Sequence, residues 1–90
     1  MNRSTKIIIE GITLEGRLFR PSDWAERLSG RLATFHNQRI TYSPLLCPGV
    51  KDGYSCVIVD PRLQETNPEF FDHVLEFAKV NHLKTSTTEG

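Results

Sequence analysis

Ninety residues carrying eleven basic and eleven acidic side chains make a chain of zero formal charge and a pI near 6.8. That length allows one hydrophobic core, and 38% hydrophobic with 24% charged residues is the composition of a folded globular chain and excludes general disorder. Electrical neutrality argues against bulk-charge binding to nucleic acid. No apolar run approaches the ~20 residues that span a bilayer, and Ile7-Ile8-Ile9 is too short for a signal-peptide core.

Lys6 to Thr13 reads as a strand, central or covered, because three consecutive isoleucines are stiff and β-branched. Glu15-Gly16 offers a turn, so Arg17-Leu18-Phe19-Arg20 is expected to run back as a second strand of a hairpin, stopped by Pro21. Ser22 or Asp23 then caps a helix; with Asp23 at the cap, Glu26 completes a capping box. Trp24, Ala25, Leu28, Leu32 and Phe35 share one helical face, which predicts a core-facing helix over roughly 23–34 with a weak point at Gly30.

Arg39-Ile40-Thr41-Tyr42-Ser43 alternates like a strand with one wet face, and Pro44 and Pro48 consign Leu45-Leu46-Cys47 to an edge or a loop. Asp52-Gly53 supplies a turn into Tyr54–Val59, apolar enough for a central strand. After the stop at Asp60-Pro61, Asn67-Pro68 opens a second helix with a capping side chain and proline at the first helical position. Its buried stripe is Phe70, Phe71, Val74, Phe77 and Ala78, and it ends near Asn81.

The expectation is therefore an α+β fold of order β-β-α-β-β-α, a largely antiparallel four-stranded sheet with two helices packed on one face. Residues 1–84 form a single domain and residues 85–90, small and polar, a mobile C-terminal tail.

The run Phe19-Arg20-Pro21-Ser22-Asp23-Trp24-Ala25-Glu26-Arg27-Leu28 resembles a small bacterial family, mainly proteobacterial, known as domain of unknown function 3579. Arg39-Ile40-Thr41-Tyr42-Ser43-Pro44, Cys56-Val57-Ile58-Val59-Asp60, Phe77-Ala78 and Asn81-His82-Leu83 resemble the same pattern in the same order, over residues 6–83. The resemblance implies a bacterial, non-secreted protein of about one domain. It carries no established activity, cofactor or catalytic residue.

Chemistry is sparse. No nucleophile elbow, Walker A loop or dinucleotide fingerprint occurs, and His36, His73 and His82 lack zinc-site spacing. Cys47 and Cys56 face each other only if the intervening turn is centred between Lys51 and Asp52, and in a reducing cytoplasm they stay thiols. The candidate surface is basic and aromatic: Arg27 and Arg31 flank the Trp24 edge of the helical stripe, with Arg20 just upstream. The charge is uneven too, since residues 1–45 carry seven Lys/Arg against four Asp/Glu and residues 46–90 the reverse.

These features lead to a cytoplasmic, non-catalytic binding or adaptor module, without cofactor or metal and compatible with a homodimer. Arg20, Trp24, Arg27 and Arg31 would meet an acidic protein or small anionic ligand. The alternatives are RNA or single-stranded nucleic-acid binding, with Tyr42 or Trp24 stacking on bases, and a thiol- or metal-dependent enzyme.

Overall fold

Ile7–Thr13 is strand β1, flanked on both edges, as a triple-isoleucine strand requires. The computed structural model describes residues 5–20 and 23–88. In chain order the other elements are α1 (Trp24–Ser29), β2 (Thr34–His36), β3 (Arg39–Thr41), β4 (Leu46–Lys51), β5 (Tyr54–Val59), α2 (Leu63–Thr66), α3 (Pro68–Val80) and β6 (Leu83–Thr87). The main sheet is antiparallel and four-stranded, in the order β4-β5-β1-β6. The α+β class with helices against an antiparallel sheet thus stands, but two of its four strands are not those expected.

The first difference is the return of the N-terminal hairpin. Gly16 adopts φ +86° and the turn closes through Gly16 N–H donating to Thr13 O at 2.9 Å. Beyond it, however, residues 17–20 make a single bridge, Ile12 to Leu18, closed by Thr13 N–H donating to Arg17 O at 2.8 Å and Phe19 N–H to Gly11 O at 3.0 Å. Over Ile7–Ile9 both edges of β1 are taken by β5 and β6, so the returning segment meets an open edge only at the strand's end, over 11–13. The stop at Pro21 lies outside the described residues.

The second difference is at the C-terminal end. Residues 85–87, expected in a mobile tail, pair with β1: Ile7 with Thr87, Ile8 with Ser86, Ile9 with Thr85. Threonine is β-branched and suits a pleat, and an edge strand tolerates the polarity that suggested mobility. Thr88 follows the strand and is bonded to Lys6, and the last two residues of the expected tail, Glu89 and Gly90, lie outside the described residues.

Arg39–Thr41, expected in the main sheet, instead pairs with Thr34–His36 in a separate hairpin. Asn37 and Gln38 at its tip have φ +51° and +63°, as a type I′ turn demands. The sheet position goes to β4, which passes through Pro48; because β4 is an edge, the missing proline N–H costs no ladder bond on its outer side.

Helix α1 is shorter than its periodicity suggests. Gly30 caps it, and the chain continues in tighter turns, with Arg31, Leu32 and Ala33 N–H donating to the carbonyls three residues earlier. Phe35, assigned by the helical wheel to the buried stripe, is therefore in β2 and 72% exposed. Asp23 is the N-cap residue but its side chain makes no cap hydrogen bond, so no capping box forms; the alternative cap Ser22 lies outside the described residues. The second expected helix is α3, where the Asn67 side chain accepts from Phe70 N–H at 3.3 Å and Pro68 occupies the first turn. A short extra helix, α2, precedes it.

Alternation along the strands puts Ile9, Val57, Val59 and Leu46 on the face that meets Trp24, Ala25 and Leu28 of α1, Leu63 of α2 and Phe71, Val74 and Ala78 of α3. On the opposite face Lys51 Nζ donates to Glu10 Oε2 at 3.2 Å and to Ser86 Oγ at 2.8 Å, tying β4, β1 and β6 together. Burial opposes ionisation of Glu10, but the hydrogen bonds from Lys51 and Ser86 outweigh it and hold its carboxyl below the usual value. Among the described residues no helix is long and apolar enough to cross a membrane.

Candidate functional site

The chain brings three aromatic side chains to one spot, two of them five residues apart and the third from α3. Trp24 is the first residue of α1, Phe77 lies on α3, and Phe19 ends the segment tied to Gly11. The indole stacks on Phe77 with centroids 5.9 Å apart and planes 15° from parallel. Phe19 stands edge-on to both, at 5.4 Å from Trp24 and 5.9 Å from Phe77. These are the offset and T-shaped geometries that ring quadrupoles favour.

Gly11 makes this arrangement possible. A Cβ there would run into the Ser55 carbonyl and come within 3.0 Å of Trp24 Nε1, so only glycine lets the indole lie against the sheet. Trp24 is accordingly 4% exposed. It is a core residue that shows one edge to a surface cleft.

That cleft, about 320 Å³, lies between α1 and α3. Phe19, Trp24, Leu28 and Phe77 supply its apolar walls, and Arg27, Arg31 and His73 its polar rim. Arg27 Nε–H donates to Asp23 Oδ2 at 2.9 Å, one helical turn back, with both side chains exposed. Arg31 lies 5.8 Å over the Phe70 ring, which in turn stacks on His73 at 5.7 Å. Among the described residues no carboxylate pairs with Arg31.

Of the four residues singled out from the sequence, Trp24, Arg27 and Arg31 come together here. Arg20 is exposed and outside the cleft. Tyr42, the other candidate base-stacker, lies in the loop after β3 and does not line it. Phe19, His73 and Phe77 were not identified as site residues. Phe77 was legible only as part of a buried stripe, and nothing local in the sequence marks Phe19 or His73 as neighbours of α1.

The thiols sit elsewhere. The β4–β5 turn is centred on Asp52-Gly53, so Cys47 pairs with Ile58 and Cys56 with Gly49, two residues out of register on one face. Both are free, and burial pushes the Cys56 thiol up. Among the described residues no three His, Cys, Asp or Glu side chains gather as a metal site. Asp60, the carboxylate before Pro61, is buried at the β5–α2 junction. It accepts from the Arg62 backbone N–H at 2.9 Å and guanidinium at 2.8 Å, and pairs with Lys6 Nζ at 3.2 Å. Those bonds, Arg62 first, hold its carboxyl far below the ordinary range.

Residues 3–88 match the family model described as "Protein of unknown function (DUF3579)". A solution structure described as the first structural representative of its family is similar at a TM-score of 0.84 and 42% identity, covering 96% of this chain and 81% of that one. No curated protein matches.

Proposed function

The chain belongs to the DUF3579 family of proteins of unknown function, and from that premise we propose that it is a small non-catalytic binding module, working in the cytoplasm, whose α1 surface receives an acidic partner. The observation that carries this reading is the placement of two exposed guanidiniums, Arg27 and Arg31, on the rim of an aromatic cleft. Arg31 has no carboxylate partner among the described residues, and the Arg27–Asp23 pair is of the exposed kind worth at most about 1 kcal/mol. Both side chains are free to take a carboxylate from outside at little cost. Guanidinium forks recognise carboxylates bidentately, and arginine with tryptophan is a combination enriched where binding energy concentrates.

The test is affinity capture from bacterial lysate with wild type, Arg27→Glu/Arg31→Glu and Arg20→Glu, each with and without nuclease. The double reversal is expected to abolish capture of a nuclease-resistant protein, and Arg20→Glu to weaken it less, since Arg20 acts only through long-range charge. Capture that survives the double reversal overturns the reading. Recovery of nuclease-sensitive RNA, weakening steeply with salt, would replace it with nucleic-acid binding.

A further inference from the structure

The cleft has a chemistry of its own beyond the charge of its rim. Its volume of about 320 Å³ lies at the floor of the ~300–1,000 Å³ range of small-molecule pockets, which suits one ring on a short tether better than a drug-sized ligand. The walls offer Phe19, Trp24 and Phe77 in an alternating stacked and edge-on array. A fourth ring entering beside them continues that array and meets the quadrupole preferences the existing three already satisfy.

The cations stand outside this apolar space, on its rim. An occupant must therefore place an aromatic group inside while carrying negative charge beyond the ring. A peptide does this naturally, because the residues on either side of an anchoring side chain lie over the rim. The charge complementarity favours such a segment over a neutral one: Arg27 and Arg31 are both exposed, and among the described residues the one ion pair either makes is that of Arg27 with Asp23.

We propose that the cleft binds a protein segment presenting one aromatic side chain flanked by carboxylates, the ring inserting beside Trp24 and Phe77 and the carboxylates meeting Arg27 and Arg31. This rests on the reading of the α1 surface as a docking site for an acidic partner and names what that partner presents. Affinity then divides between an apolar anchor and a charged rim, and neither suffices alone.

Trp24 is the only tryptophan in the chain, so its fluorescence reports on this cleft directly. The probes are the peptides acetyl-Glu-Asp-Phe-Glu-Asp-amide, acetyl-Glu-Asp-Ala-Glu-Asp-amide and acetyl-Gln-Asn-Phe-Gln-Asn-amide, with phenylacetate as the small-molecule comparison. The first is expected to change the emission saturably. Loss of the ring, loss of the charges, or Arg31→Glu in the protein should each weaken binding about tenfold or more, the scale of a lost interfacial anchor. Arg31 is exposed, so its reversal leaves the fold intact.

Equal binding of the alanine peptide overturns the inference while leaving recognition by the arginine surface standing. Equal binding of the uncharged phenylalanine peptide overturns both. Phenylacetate binding more tightly than any peptide makes the cleft a small-ligand site and overturns the peptide assignment, as does the absence of any peptide-induced change.

Discussion

Ser29 lies fully buried in α1, and its Oγ has no hydrogen-bonding partner among the described residues. A buried hydroxyl left unpaired costs about 1–3 kcal/mol, and alanine is the better helix former. Ser29→Ala should therefore leave the protein equally stable or more stable by about 1 kcal/mol, read as an unchanged or raised midpoint in urea. Asp60 is the opposite case. It is 1% exposed yet ionised, held by Arg62 and Lys6, so replacing the charge-assisted bonds by weaker neutral ones in Asp60→Asn should cost about 1.5–3 kcal/mol at pH 7. Its folded-state pKa lies below the unfolded value of about 3.9. The unfolded chain thus binds more protons in that range, and the contribution is complete above about pH 5 and drains away as pH falls below the unfolded value. Urea midpoints of wild type and Asp60→Asn, measured from pH 7 downward, should begin to approach each other below about pH 4 and go on closing as the pH falls further. Sequence alone showed Asp60-Pro61 as a strand stop; the Lys6 that neutralises it arrives from the far end of the chain and leaves no local signal.

Elements whose signals are local were legible. Asn67-Pro68 opens α3, Asp52-Gly53 turns β4 into β5, and β1 and β5 are the two inner strands, because capping, positive φ and apolar content act within a few residues. Where two local solutions compete, tertiary structure decides. Phe35 fits the α1 stripe by periodicity, but Gly30 ends the helix first and Asn37-Gln38 folds the following residues into the β2–β3 hairpin. That hairpin exposes Phe35 and Ile40 as a cross-strand pair, with Ile40 57% exposed. Two strands alone are marginal in water, and glutamine at φ +63° is disfavoured where glycine is at ease. Gln38→Gly should therefore increase hydrogen-exchange protection of the β2–β3 amides, while the global unfolding midpoint, set by the main sheet, moves by less than about 0.5 kcal/mol.

At the scale of the molecule, the strand order β4-β5-β1-β6 sets an early strand between two late ones, an assembly that no window of sequence can display. The same holds for the candidate site: Arg27 and Arg31 were visible beside Trp24, whereas Phe19 and Phe77 join them only after β1 and α3 have packed on a common core. Charge is stitched across the chain as well, Glu10 to Lys51 and Lys6 to Asp60, and the second of these pairs joins the basic half to the acidic one inside the fold. Two further bonds carry this closure to its limit. Thr88 N–H donates to Lys6 O at 3.0 Å and Lys6 N–H to Thr88 Oγ1 at 2.8 Å, so the chain enters and leaves the sheet at one point. A circular permutant with its ends joined and new ends opened between Asn37 and Gln38, at the tip of a hairpin outside the core, should fold with a circular dichroism spectrum like that of the parent. A unit whose entry and exit coincide exerts no leverage on its surroundings, and could be spliced into a surface loop of an unrelated carrier without prying that loop apart.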